Sequence, residues 1–134
     1  MLIEIEDLCG EVVELNKSIY EFKQGGIVKI NIKEDAHVEI EDAMEEFRLL
    51  LSKPEYLPAK ALIVPGDNAS VSKETRDFAN SPQGKSVIKC QAIVVHSLPH
   101  KIMANFIRRF YKTPVKIKIF DNEKNAVEWL SAQD

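Results

Sequence analysis

Two short runs, ALIVP at 61–65 and IVV at 93–95, are apolar at every position. A strand with one face in water alternates, so a strand without alternation needs cover on both faces. Around these runs the hydrophobic period lengthens from two residues to between three and four. Strands of that kind separated by helical patterns dictate a largely parallel sheet with helices packed against it. The expected class is therefore α/β.

The first third of the chain has a different texture. EVVEL, SIYEF and GIVKINI, within residues 11–32, are rich in Val, Ile, Tyr and Phe and are separated by turn residues. They predict an N-terminal β-meander. Gly25-Gly26 suits a hairpin turn because both residues tolerate positive φ. In the last of these segments Val28, Ile30 and Ile32 alternate with Lys29, Asn31 and Lys33, one face inward and one outward.

Helices follow. Ile40, Ala43, Met44, Phe47, Leu50 and Leu51 form one apolar stripe. Glu39, Glu41, Asp42, Glu45 and Glu46 occupy its early turns, where negative charge favours a helix N-terminus. A second helix is expected from Ser72, as N-cap, to Ala79. A third starts at Ser97 and ends before Pro114. VKIKIF at 115–120 reads as a strand, and Asp121 is placed to cap a last helix carrying Ala126, Val127, Trp129 and Leu130. The whole is a meander followed by alternating α-β units: a mixed, largely parallel central sheet with flanking helices, in one domain spanning 1–134.

The 134 residues suffice for a core without metal or disulfide support. Cys9 and Cys90 lie far apart and read as free thiols. No apolar run has the length of a membrane span. The start, MLIEIEDLCG, carries acids where a secretory signal carries bases, so a cytoplasmic location is expected and integral membrane association is not. Residues 1–56 hold 14 acids and 6 bases, and residues 57–134 hold 7 acids and 12 bases. That division lets two copies pair head to tail as a homodimer.

The segment KIMANFIRRFYKTPVKIKIF, 101–120, has six basic side chains and no acid. On a helical wheel Ile102, Met103, Phe106, Ile107 and Phe110 share one side. Lys101, Arg108 and Lys112 share the other, with Arg109 at the boundary. Binding of single-stranded nucleic acid needs aromatics exposed beside the charge. Here they point inward, so a nucleic-acid partner is not expected, and the cations form a solvated basic interaction face. Lys116 and Lys118 suit a protected edge strand.

Two loops at the carboxyl ends of the central strands form a candidate ligand or partner rim, the usual binding edge of open α/β sheets. The first contributes Asp67, Asn68, Ser70 and Ser72, and the second His96, Ser97 and His100. Backbone N–H groups of the first loop are candidates for facing an anion. Ser97 lacks the Gly-x-Ser-x-Gly setting of a nucleophile elbow, and His96, adjacent on the strand, points to the opposite face. Ser97 is thus expected to cap a helix and His96 to fill a polar edge of the core. His37 reads as a lone surface histidine. No catalytic, metal or cofactor signature is found, so the chain is read as a non-enzymatic module without cofactor.

Several segments together resemble the small bacterial STAS-like, or SpoIIAA-like, domain proteins. They are Ala92–Ser97, Ala104-Asn105-Phe106, Pro114, Phe120, and Ala126 with Trp129-Leu130. IEDAMEEF at 40–47 and the pattern Ser72, Arg76, Phe78-Ala79 add to the likeness. The resemblance implies a compact α/β fold of the anti-sigma-factor-antagonist type, a regulatory role and a protein partner. It also implies, as an alternative, a small-ligand or lipid site in the crevice at the strand ends, near His96 and Phe120. Some relatives are switched by phosphorylation of a serine in the turn after a central strand. The corresponding turn here is Asp67-Asn68-Ala69-Ser70, and Ser70 is the candidate phosphoacceptor. Asn68 and Ala69 replace the middle of the usual acidic-Ser-Ser/Thr-Gly signature. Glu39 stands where a Ser or Thr cap is common, and Lys124 where an acid would complete a capping box after Asp121.

Overall fold

The computed structural model of the chain describes residues 10–97, 101 and 116–133. The helix expected from Ser97 to before Pro114 lies almost wholly outside them, with His100, Arg108, Arg109 and Lys112. Lys101 is described and is exposed.

Strands β1 (Val12–Glu14), β2 (Ser18–Phe22) and β3 (Ile27–Ile32) form the expected antiparallel meander. Gly25 and Gly26 turn the second hairpin at φ +78° and +75°, a conformation that side chains with a Cβ resist. Then come β4 (His37–Val38), α1 (Ile40–Leu51), β5 (Ala59–Pro65), β6 (Ser70–Val71), α2 (Lys73–Ala79) and α3 (Pro82–Lys85). β7 (Ile88–Val94), β8 (Lys116–Phe120) and α4 (Glu123–Ser131) complete the described elements. The main sheet runs β1-β2-β3-β5-β7-β8, with β3, β5, β7 and β8 mutually parallel. The two apolar runs that set the fold class are neighbours, Ile63 facing Ile93. β8 is the edge, and its Lys116 and Lys118 are exposed as expected.

The sheet has two dry faces. Tyr20, Phe22, Val28, Ile30 and Ala61 pack with Phe47 and Leu50 of α1. On the reverse, Ile27, Leu62, Cys90, Ala92 and Val94 pack with Ala126 and Leu130 of α4. Alternation along β5 sends Ala61 and Leu62 to opposite layers, which is why its run reads as continuously apolar. Polar ties fix α4 to its face. Lys29 Nζ lies 3.0 Å from Glu123 in the first turn, and Lys60 Nζ donates to the Gln133 carbonyl just past the last. Glu123 at the start of the helix and Lys60 at its end each complement the helix dipole.

Three expectations need correction. α4 is capped by Asn122, whose side chain accepts the Asn125 N–H at 2.8 Å, and not by Asp121. β8 ends at Phe120, and the residue with extended backbone immediately before the helix is Asn122. The capping-box position is therefore Asn125 rather than Lys124. β7 begins at Ile88, five residues before the apolar run, because a bulge near Lys89 lets a mixed segment join the sheet. His96 is exposed and does not fill the core edge. Val94 and Val95 are buried consecutively, at 1% and 5% exposure, so the inward place is already taken.

Candidate functional site

The parallel strands deliver their carboxyl ends to one edge of the sheet, and two turns there are built against each other. In the turn after β3, Asp35 has φ +60°, and in the turn after β5 so does Asn68. Asp and Asn tolerate this region better than most residues. The Asp35 N–H donates to the Asp67 carbonyl at 2.8 Å, and the Asn68 amide donates to the Asp35 carboxylate at 3.0 Å. Gly66 allows the close approach. A Cβ there would meet the Ile32 carbonyl oxygen at 2.5 Å and the Glu34 nitrogen at 2.6 Å.

β4 and β6 continue the contact as a two-residue parallel pair, His37 beside Ser70 and Val38 beside Val71. His37 Nδ1 lies 2.5 Å from Ser70 Oγ, and its Nε2 lies 3.8 Å from the Glu39 carboxylate. Ser72 caps α2 as expected, accepting the Thr75 N–H. The Val38 carbonyl accepts from both the Ser72 N–H and the Thr75 hydroxyl. Three of the loop's N–H groups are thus engaged. Those of Ala69, Ser70 and Ser72 donate to carbonyls of Gly66, Ala36 and Val38, so these three do not face an anion. Asp67, Asn68, Ser70 and Ser72 do form one side of the rim. His96 and Ser97 leave the same sheet edge from the neighbouring strand, and the Lys101 N–H donates to the Ser97 carbonyl.

A second feature was not expected from the sequence. A cavity of about 230 Å³ lies between the sheet and α1–α3. Tyr20, Ile30, Ala61, Ile63 and Ile88 form its floor. Ala43, Phe47 and Leu50 of α1 and Phe78 and Ala79 of α2 form its roof, with the Phe47 and Phe78 rings edge-on at 5.3 Å. Glu46 stands in the wall. Its carboxylate accepts the Tyr20 hydroxyl at 2.8 Å and the fully buried Ser18 hydroxyl at 2.9 Å. Burial pushes the Glu46 carboxyl up, against the pull of those two hydrogen bonds, and Asp42 and Glu45 push it further. The same arrangement raises the Tyr20 phenol, through burial first and the facing carboxylate second. By sequence Glu46 counts among the acids of the early helical turns. The distinguishing signal is positional: Glu46 lies on the stripe of Ala43, Phe47 and Leu50, where an acid is out of place.

Asp42, one turn earlier, has the opposite balance. Burial raises it, but the Glu39 N–H, Lys17 at 3.0 Å and Asn16 outweigh that and hold it below the usual value. Phe120, expected to border a crevice, packs on Trp129 with ring centroids 5.9 Å apart. Among the described residues no group of three metal-ligating side chains occurs, and no helix is long and apolar enough to cross a membrane.

Residues 20–133 match a family model described as a domain of unknown function (DUF7793). The crystal structure of an uncharacterised protein of the DUF3478 family from Shewanella loihica PV-4, with a SpoIIAA-like fold, superposes with a TM-score of 0.59. The two share 18% identity, over 90% of this chain and 91% of that one. At that identity the likeness is one of fold. No curated protein matches.

Proposed function

The chain belongs to the DUF7793 family of domains of unknown function and has a SpoIIAA-like fold, and from that premise we propose that it is a non-enzymatic module that holds a small apolar molecule between α1–α3 and the sheet. The observation that carries this reading is the cavity itself. Its volume is about 230 Å³, and Ile32, Ile63, Ile88 and Phe78 around it are only partly buried. Apolar space of this size is a receptive site for a compact hydrocarbon. The cavity lies beneath α1 and α2 rather than at the crevice beside Phe120 anticipated from the sequence.

Titration with propylbenzene, followed by methyl NMR, tests the reading. Saturable shifts are expected at Ile30, Ile63, Val87 and Ile88, which line the cavity, and not at Leu130 on the opposite face. Absence of saturable shifts up to the solubility limit overturns it.

The hydrogen bond between His37 and Ser70 supports a second role, in which the rim is a protein-contact surface switched at Ser70. A phosphate there would add about −2 charge and strong acceptor oxygens beside His37 and change what this edge can contact. Protein isolated from its native cell is then expected to carry phosphate on Ser70. A mass spectrum with no phosphate anywhere in 65–75 removes this role.

A further inference from the structure

We infer that the cavity under α1 selects a small ammonium compound, an amine on a single ring or short chain, with its nitrogen against the Glu46 carboxylate. The inference rests on the cavity reading above and adds the class of occupant. Three observations carry it.

The first is size. An apolar cavity of about 150 Å³ accommodates benzene. On that scale 230 Å³ suits a body of about nine or ten non-hydrogen atoms, well short of a long-chain lipid.

The second is charge. Among the described residues the wall carries one ionisable acid, Glu46, and no Lys, Arg or His. Of the cations near the wall, Lys17 is held by Asp42 and the His37 carbonyl, and Arg76 donates to the carbonyl of Val71. An anionic ligand would lie beside Glu46, with Asp42 and Glu45 on the same helix adding to the repulsion.

The third is the inventory of donors and acceptors. The Tyr20 and Ser18 hydroxyls donate to Glu46, and the Thr75 hydroxyl donates to the Val38 carbonyl. These donors are engaged. A carboxylate has about four lone-pair positions, and the two hydroxyls use two of them. The wall therefore offers acceptor capacity, apart from the Gln91 amide, and asks its occupant for donors. An ammonium group supplies three donors and the opposite charge. A neutral hydrocarbon fills the space and leaves the carboxylate half satisfied.

The pH dependence has a definite sign. Glu46 titrates above its ordinary value of 4.5. An ammonium favours the ionised carboxylate, so its affinity rises with pH through that raised value. The groups facing Glu46 are Tyr20 and Ser18 from β2 and Asp42 and Glu45 from its own helix. Asp42 is held below its ordinary value, so it is Glu46 whose charge changes as pH rises through that raised value.

Calorimetric titration of the full chain at pH 7 with 2-phenylethylamine, propylbenzene and 3-phenylpropionate decides the matter. The amine is expected to bind about tenfold tighter than propylbenzene, the size of one charge-assisted hydrogen bond, and the carboxylate weakest. Glu46→Gln should bring the ratio of amine to propylbenzene affinity close to one. If propylbenzene binds and the amine binds no better, the inference fails while the cavity reading stands. If none of the three binds, both fail. The comparison in the unsubstituted chain, repeated at pH 5 and 7, decides the question even where Glu46→Gln does not fold: an amine advantage that does not grow with pH also overturns the inference.

Discussion

Gly66→Ala is expected to destabilise the domain by about 3 kcal/mol, at the upper end of what overpacking usually costs. The added methyl would stand 2.5 Å from the Ile32 oxygen, 2.6 Å from the Glu34 nitrogen and 2.8 Å from the Lys33 carbonyl carbon. All three are main-chain atoms at the end of β3, so no side chain can rotate away. Relief requires the two turns to separate. That breaks the Asp35-to-Asp67 and Asn68-to-Asp35 hydrogen bonds and loosens the contact of His37 with Ser70. Urea denaturation reads the loss directly. A change below about 0.5 kcal/mol, the range of an ordinary surface substitution, would mean that the turns are not pressed together.

Phe22→Ala should cost more, about 4 kcal/mol. Phe22 is 1% exposed and closes the end of the core beneath α1. The Tyr56 ring meets it edge-on at 5.1 Å, the Tyr20 ring lies at 6.3 Å, and the Lys53 ammonium stands 5.3 Å from its centroid. Truncation removes the ring's transfer energy and leaves a void that three differently oriented neighbours cannot jointly fill. A domain of this kind has a total stability of about 5–15 kcal/mol, so a large share disappears. The melting temperature is expected to fall by roughly 10–20 °C. A fall of only two or three degrees would place Phe22 outside the core.

Much of the scaffold is legible in the sequence because its signals are local and periodic. The stripe from Ile40 to Leu51, the Gly25-Gly26 turn, the Ser72 cap and the two apolar strands each show within a dozen residues. The unread parts are non-local or short. β4 and β6 have two residues each, too few for any period, and His37 and Ser70 meet across 33 positions of sequence. α3 is a single turn announced only by Ser81-Pro82. The candidate site was legible by halves. Strand order puts the 66–72 loop and His96 at one edge, as expected. The cavity depends on how three helices sit on the sheet, and only the misplaced acid at 46 pointed to it.

The small parallel pair of β4 and β6 has a mechanical corollary. One carbonyl, that of Val38, is gripped from α2 by two donors, while α1 begins two residues after it. The two helices are pinned side by side at their starting ends, like the arms of tongs at the rivet. A change at that end of the sheet therefore bears on both of the helices that roof the cavity.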